Sequence, residues 1–83
     1  MTLLQNLPAG TTVSIKKIEG DASAVLRARE LGLIPGTICT IVRKAPFGGP
    51  IQLAIGRGQL GIRPSDGLVI SVEVVSIVTS LAV

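Results

Sequence analysis

The chain consists of short runs in which apolar and polar residues alternate, separated by glycine and proline. Alternation with a period of two is typical of half-buried β-strands, because successive side chains of a strand point to opposite faces. Five runs show this pattern, at residues 12–18, 37–42, 51–55, 60–62 and 70–74. Ten glycines and five prolines supply turn signals between the runs. The pattern therefore predicts an all-β protein of short strands.

One segment carries helix signals instead. Asp21 is a residue type that caps helix N-termini, and Gly32 stands where a glycine commonly ends a helix, with Pro35 shortly after it. Between them, alanine, alanine and leucine recur at positions i, i+4 and i+7, which gives a narrow apolar face. We therefore predict one short helix near residues 22–31, inserted after the first strand.

The first strand contains an irregularity. Lys16 and Lys17 interrupt its alternation before Ile18, which indicates a bulge of the kind that bends strands in small barrels. A partly open antiparallel barrel of about five strands would close most strand edges and fits the order of the elements. We predict this small β-barrel, although period counting alone leaves a small sandwich open.

Charge and composition exclude several classes of function. The net charge is +3, the chain has no histidine, and its single aromatic residue is Phe47. Histidine-based catalysis, histidine-rich metal sites and aromatic platforms for stacking bases are therefore excluded. The basic residues are scattered along the chain, so we do not expect a nucleic-acid partner. A basic small barrel that binds nucleic acid remains the alternative class.

The cysteine content fits a reducing compartment. Cys39 is the only cysteine, so no internal disulfide forms, and we expect it to be a small buried apolar residue. No signal peptide is apparent. The most apolar region, residues 68–83, has 16 residues and includes Glu73, whereas a membrane helix needs about 20 mostly apolar residues. We therefore expect no membrane span and a cytoplasmic location.

Two motifs that suggest ligand chemistry have simpler interpretations. Residues 56–61 match G-x-G-x-x-G, but Pro64 stops the segment that follows, and no helix N-terminus is available to receive a phosphate. We interpret the motif as a β-hairpin with Arg57 at its tip. Glu19 and Asp21 are neighbouring carboxylates, too few for a structural metal site of about four ligands. We predict no catalytic residue, no cofactor and no intrinsic metal site.

The order of the turn and strand signals is more specific than any one of them. A Leu-x-x-Leu-Pro-x-Gly motif opens the chain at residues 4–10, and Ile-x-x-Ile-x-Gly follows at 15–20. Glu-Leu-Gly-Leu-Ile-Pro-Gly-Thr occupies residues 30–37, Pro-x-Gly-Gly-Pro occupies 46–50, and Ile-x-Val occupies 70–72. This arrangement resembles the FeoA family of bacterial ferrous-iron transport accessory proteins, over about residues 3–73.

The resemblance implies an SH3-like barrel and a function. We expect residues 1–75 to form the FeoA-like domain, and residues 76–83 to be an apolar extension that continues the last strand. The family's members are non-catalytic cytosolic partners of FeoB, the membrane ferrous-iron transporter with a GTPase domain. The domain also resembles the C-terminal module of metal-dependent repressors, which keeps a regulatory module of that type as a further alternative.

Four residues are candidates for contact with a partner, on the expectation that they are exposed. They are Leu33 and Ile34 after the helix, Phe47 in the Pro-x-Gly-Gly-Pro loop and Arg57 at the hairpin tip. For Phe47 we expect a plug over the barrel mouth, with an exposed anchor as the alternative. The apolar, β-branched C-terminal segment further indicates strand extension with self-association.

Overall fold

The computed structural model describes residues 2–63 and 67–77, which form six β-strands, one α-helix and one 3₁₀ turn. The elements in chain order are β1 (Thr2–Leu3), the 3₁₀ turn (Leu4–Asn6), β2 (Thr11–Gly20), α1 (Ala22–Glu30), β3 (Ile38–Lys44), β4 (Ile51–Ile55), β5 (Gly58–Ile62) and β6 (Leu68–Ile77). The predicted all-β class with one inserted helix is confirmed. Strand β1 was not predicted, because two residues are too few to show an alternation.

All six strands belong to one sheet in the order β1-β6-β2-β3-β4-β5, and each neighbouring pair is antiparallel. The two ten-residue strands, β2 and β6, pair along their whole length from Thr11↔Ile77 to Gly20↔Leu68. Strands β1 and β5 are the two ends of this order. Residues 78–83 of the predicted extension lie outside the described residues, and β6 includes positions 76 and 77.

The predicted bulge in β2 is present. Ile15 pairs with Val72 and Lys17 pairs with Ser71, so Lys16 is the extra residue. Both lysine side chains are exposed; the Nζ of Lys16 lies 3.5 Å from Glu73 and that of Lys17 lies 3.4 Å from Glu19. Exposed pairs of this kind contribute only about 0–1 kcal/mol each. The bulge therefore serves mainly to bend β2, which lets the sheet curl around the core.

The core lies inside the curved sheet and is built from one face of each long strand. Strand β2 alternates buried Thr11, Val13 and Ile15 with half-buried residues, and Cys39 and Ile41 supply the same face of β3. Burial raises the pKa of the Cys39 thiol, as expected for a cysteine that acts as an apolar core residue. The other buried apolar residues are Leu4, Ala28, Leu33, Ile51, Leu53, Ile70 and Val72.

The C-terminus of α1 ends in a Schellman motif. Gly32 has a φ of +99°, the left-handed conformation that glycine adopts without steric cost. Its amide donates to the carbonyl of Arg29 at 3.0 Å, and the amide of Leu33 donates to the carbonyl of Ala28 at 2.9 Å. This pattern commonly brings the residue after the glycine against the last turn of the helix. Accordingly, Leu33 and Ala28 are buried in the same core cluster.

The helix α1 begins after Asp21, as predicted, but the main hydrogen-bond partner of its carboxylate is a side chain and not an amide of the first turn. Its Oδ2 accepts a hydrogen bond from the Ser23 hydroxyl instead. That hydroxyl is the main reason why the pKa of Asp21 lies below its ordinary value of 3.8, and the Ala24 amide contributes less. The helix terminus is therefore negatively charged well into the acid range, which suits the helix dipole.

This contact predicts a measurable titration. Removing the hydroxyl with Ser23→Ala should raise the pKa of Asp21 back toward 3.8, because the ionised form loses its main hydrogen bond. The folded-state pKa is depressed, so the stabilisation is present above 3.8 and is lost as the pH falls through the lower, folded value. Carboxyl NMR titration of both proteins checks this. An unchanged Asp21 pKa in the variant would show that the hydroxyl does not hold it.

Candidate functional site

Leu33, the first of the four candidate contact residues, is buried. Only 1 % of its surface is exposed, so our expectation of an exposed Leu33 was wrong. The reason is the Schellman motif, which turns this side chain back toward Ala28 and the core. The sequence contained the signal, because an apolar residue directly after a helix-ending glycine commonly packs against that helix.

Ile34 and Arg57 are exposed and lie toward the same end of the sheet. Ile34 is 43 % exposed, in the loop between α1 and β3. Arg57 occupies the β4–β5 turn. Because Thr40 pairs with Ala54, the beginning of β3 lies beside the end of β4, and both loops leave the sheet on that side.

Phe47 lies at the opposite end. Lys44, the last residue of β3, pairs with Ile51, the first residue of β4, and Phe47 occupies the loop between them. At the usual rise per strand residue, the length of β3 separates the two ends by about 20 Å. The exposed candidates therefore form two separate surfaces.

The loop of Phe47 displays its side chain to solvent. Phe47 has a φ of +58° and Gly48 a φ of +74°, and the amide of Gly49 donates to the carbonyl of Pro46 at 3.2 Å. Two positive φ values inside such a hydrogen-bonded turn match type I′ geometry. Phe47 is the only residue other than glycine with a positive φ among the described residues, and its side chain is fully exposed. Our expectation of a plug over the barrel mouth was therefore wrong.

Backbone hydrogen bonds and a close approach of the chain to itself constrain the Phe47 loop. The amide of Ala45 donates to the carbonyl of Pro50 at 3.0 Å, which closes the base of the loop. The two prolines have restricted φ angles. A Cβ at Gly49 would lie 2.7 Å from the Cβ of Ala45, so the chain approaches itself closely there. Phe47 is consequently presented on a pre-organised loop.

Basic residues lie beside this loop. The Nζ of Lys44 donates to the carbonyls of Gln5 and Leu7, each at 2.9 Å, and so ties the end of β3 to the segment after β1. Arg43 precedes it and is exposed. We define the Phe47 surface as Arg43, Lys44 and the loop of residues 45–50. Arg43 and Lys44 directly precede this loop in the sequence, but the sequence analysis did not count them among the candidate contact residues.

The described lysines each lie close to an oxygen acceptor of this chain. Lys16 and Lys17 are each within 4 Å of a glutamate, and Lys44 is bonded to two carbonyls. A protein that tracks a nucleic-acid backbone needs a row of cations available to phosphates. This arrangement gives no specific support to the nucleic-acid alternative.

The G-x-G-x-x-G motif at residues 56–61 is a β-hairpin, as predicted. Ile55 pairs with Gly58 across the turn, and Gly56 adopts a positive φ of +57°. The chain continues into β5, so the motif does not open a helix. Because the amides of β5 pair with β4, this segment offers no helix N-terminus for a phosphate.

A groove of about 780 Å³ separates α1 from β5. Both signs of charge line it beside small and apolar residues, so its chemistry does not select one class of ligand. The residues that line it are Asp21, Ser23, Ala24, Arg27, Ala28, Leu31, Leu33, Pro50, Gly61, Ile62, Arg63 and Leu68. Among residues 2–63 and 67–77, no three His, Cys, Asp or Glu side chains come close enough to hold a metal ion. No helix in that part of the chain is long and apolar enough to span a membrane.

Comparison with known proteins assigns this architecture to a family. A profile of the FeoA domain matches residues 1–74. The chain belongs to the FeoA family. The resemblance drawn from the order of the sequence motifs is thereby confirmed.

Two solved FeoA structures share the fold. The zinc complex of Stenotrophomonas maltophilia FeoA is 25% identical, covers 88% of this chain and 91% of its own, and superposes with a TM-score of 0.74. That protein is described as a prokaryotic SH3 domain protein and a proposed ferrous iron transport activating factor. A second FeoA, described as an iron uptake regulatory protein, is 21% identical over 84% of this chain and 95% of its own, with a TM-score of 0.70. The predicted SH3-like barrel is confirmed.

Proposed function

We propose that this FeoA protein is a non-catalytic, cytoplasmic accessory of bacterial ferrous iron uptake, which docks on a FeoB-type transporter and modulates it. Membership of the FeoA family supports this proposal, as does the description of the S. maltophilia relative as a proposed transport activating factor. The observation that carries the docking proposal is Phe47, a fully exposed aromatic side chain at a φ of +58°. Ferrous iron is the cargo of the transporter in this scheme.

The conformation of Phe47 has a cost that folding alone does not explain. A left-handed backbone costs a residue with a side chain roughly 1–2 kcal/mol, and this side chain recovers nothing by burial. Such strain is concentrated at sites where it contributes to function. Large aromatic side chains are also among the residues that contribute most to protein–protein binding. Phe47 therefore has the properties of an anchor for a partner.

The rigidity of its loop should strengthen binding through Phe47. A side chain that is already held in its bound position loses less conformational entropy on binding. The two backbone hydrogen bonds and the close approach at Gly49 provide that rigidity. Arg43 adds positive charge beside the loop, so the complementary surface is an apolar pocket with an acidic rim. We place this pocket on the GTPase domain, the part of a FeoB-type partner that a cytoplasmic protein meets.

The variant Phe47→Asn separates binding from folding. It creates the Asn-Gly pair that type I′ turns prefer, so the free energy of unfolding should stay equal or rise by up to about 1 kcal/mol. Affinity for the soluble GTPase domain of the cognate FeoB should fall at least about tenfold, or about 1.4 kcal/mol. NMR titration of the labelled protein with that domain, without nucleotide and with GDP or a GTP analogue, measures both affinity and location.

Arg57→Ala is the matched control, because it removes an exposed side chain at the opposite end of the sheet. It should leave affinity within about twofold of the wild type. Wild-type affinity in Phe47→Asn would refute the anchor, and shift changes clustered at Ile34 and Arg57 would move the interface to the other end. Absence of binding in every nucleotide state would refute docking on the GTPase domain.

A further inference from the structure

Strand β6 has an uncovered edge near its C-terminal end. On one side β2 pairs with it from Leu68 to Ile77. On the other side β1 contributes only the pairs Thr2↔Val72 and Leu3↔Ser71, after which the 3₁₀ turn contacts the strand. Within the described part of the chain, nothing pairs with β6 on that side from Glu73 to Ile77. We call these five residues the free segment.

The free segment carries one charged residue, Glu73, and a bulge at Val75, but its other residues are uncharged and none is proline. Edges are commonly blunted by lysine or another charge, or by proline, which discourages pairing with another chain. Glu73 is the last charged residue, and residues 74–83 contain neither charge nor proline, while six of the ten are β-branched. Val74 and Val75 are 39 % and 55 % exposed. Burial of these valines against another strand would be favourable.

The described part of β6 ends level with the start of β2. Ile77, the last residue of β6, pairs with Thr11, the first residue of β2. Six more residues, all uncharged, come after Ile77. A bulge between the pairs Val13↔Val74 and Thr12↔Ser76 makes Val75 the extra residue of β6 at this point. On the side of β6 away from β2, a partner for residues 74–77 would therefore come from outside the described residues.

We propose that the occupant is a second copy of this chain, joined by antiparallel pairing of the two free segments about a two-fold axis at Val75. Residues 74–77 are uncharged and three of the four are β-branched, so they are compatible with a second copy of themselves, whereas a charged partner strand would gain no ion pair from them. With the axis at the middle residue of the free segment, Val75 of one copy lies opposite Val75 of the other, and Glu73 of each copy lies opposite Ile77 of the other. The two Glu73 carboxylates then do not stand opposite each other. A direct pairing of these like charges would be unfavourable.

This arrangement closes on itself. A two-fold contact uses the same surface on both copies, so it yields a dimer and not an open-ended fibre. One strand pair buries much less than the roughly 1,600 Å² of a standard interface. We therefore expect weak, reversible association that appears only at high protein concentration. The Phe47 surface belongs to a different loop, and docking on a transporter is independent of this contact.

Charge substitution on the full chain tests the proposal. In Val75→Lys two lysines would stand directly opposite each other, so dimerisation should weaken at least about tenfold. Val69→Lys is the matched control: Val69 is on the same strand, 44 % exposed, but outside the free segment. Sedimentation of the three proteins from about 10 μM to about 1 mM, a range suited to weak association, measures the effect. A wild type that stays monomeric throughout, or a Val69→Lys variant impaired as much as Val75→Lys, would overturn the proposal.

Disulfide trapping gives a second readout that does not depend on affinity. Val75→Cys should form disulfide-linked dimers rapidly under mild oxidation, because the two-fold axis places the introduced thiols opposite each other. Val69→Cys should do so much more slowly. Native Cys39 is 2 % exposed and stays out of the reaction. Equal trapping of both variants, or open-ended aggregates in place of dimers, would contradict the two-fold arrangement.

Discussion

Gly20→Ala is expected to lower the free energy of unfolding by at least about 3 kcal/mol, which combines backbone strain with a collision. Gly20 is the last residue of β2, with a φ of +145°. A Cβ added there would lie 2.1 Å from the carbonyl oxygen of Gly67 and 3.3 Å from the Cα of Leu68. These are backbone atoms of the chain entering β6, so they cannot move without disturbing the longest strand pair of the sheet.

The size of this effect relative to the whole fold makes it easy to detect. A domain of this length has a total stability of about 4–12 kcal/mol, so a loss of about 3 kcal/mol removes roughly a quarter to three quarters of it. Urea denaturation followed by circular dichroism measures the change in midpoint. The same glycine closes the Ile-x-x-Ile-x-Gly motif, and the close approach of Gly67 is the physical reason for a glycine there.

Gly36→Ala is the control for that experiment. Gly36 also has a positive φ, of +95°, but no atom lies within 4 Å of an added Cβ. Its substitution should cost only about 1 kcal/mol, from backbone strain without a collision. Equal losses in the two variants would show that the approach of β2 to Gly67 is not what makes Gly20 necessary.

Leu33→Ala should destabilise the protein by about 3 kcal/mol, the usual cost of removing a buried leucine side chain. The adjacent substitution, Ile34→Ala, should change stability by less than about 0.5 kcal/mol, because Ile34 lies on the surface. Chemical denaturation of both variants provides the test. The pair is informative because the two residues are neighbours of similar size and differ mainly in burial, 1 % against 43 %.

The same pair separates a core role from a contact role. If Leu33 is a core residue, the folded fraction of Leu33→Ala binds the GTPase domain with wild-type affinity. A small loss of stability together with a large loss of affinity would instead place Leu33 in the interface and contradict its burial. The helix-ending turn at Gly32 makes the core role the expected one, since its hydrogen bonds direct Leu33 inward.

The Phe47 surface and the free segment of β6 are two different kinds of exposed structure. The Phe47 surface is a hydrogen-bonded turn that exposes one aromatic side chain at a positive φ. The free segment of β6 is a strand edge with no partner among the described residues, and in the proposed dimer it pairs with a second copy of the chain. Because they involve different loops and strands, the Phe47→Asn and Val75→Lys variants test them independently.

Local features of the chain were sufficient to predict most elements. The alternation at residues 51–55 corresponds to β4, the lysine pair marks the bulge in β2, and Asp21 and Gly32 flank α1. These predictions succeed because strand alternation, helix termination and turn formation depend on neighbouring residues. The order of the turn motifs was specific enough to indicate the family, since it reflects several backbone conformations that only certain residues adopt.

The positions of the exposed surfaces could not be predicted from local sequence patterns. The residues around Phe47 do not indicate whether its side chain covers the barrel mouth or faces solvent. The two glycines that follow it are compatible with the observed turn, but they do not predict the direction of the side chain. The separation of Phe47 from Ile34 and Arg57 follows from the register of β3 with β4, and the free segment of β6 follows from the shortness of β1. Strand register and strand order depend on contacts between residues that are far apart in the sequence. Local sequence patterns therefore predict the individual elements, whereas the assembly of those elements into a sheet determines which surfaces remain exposed.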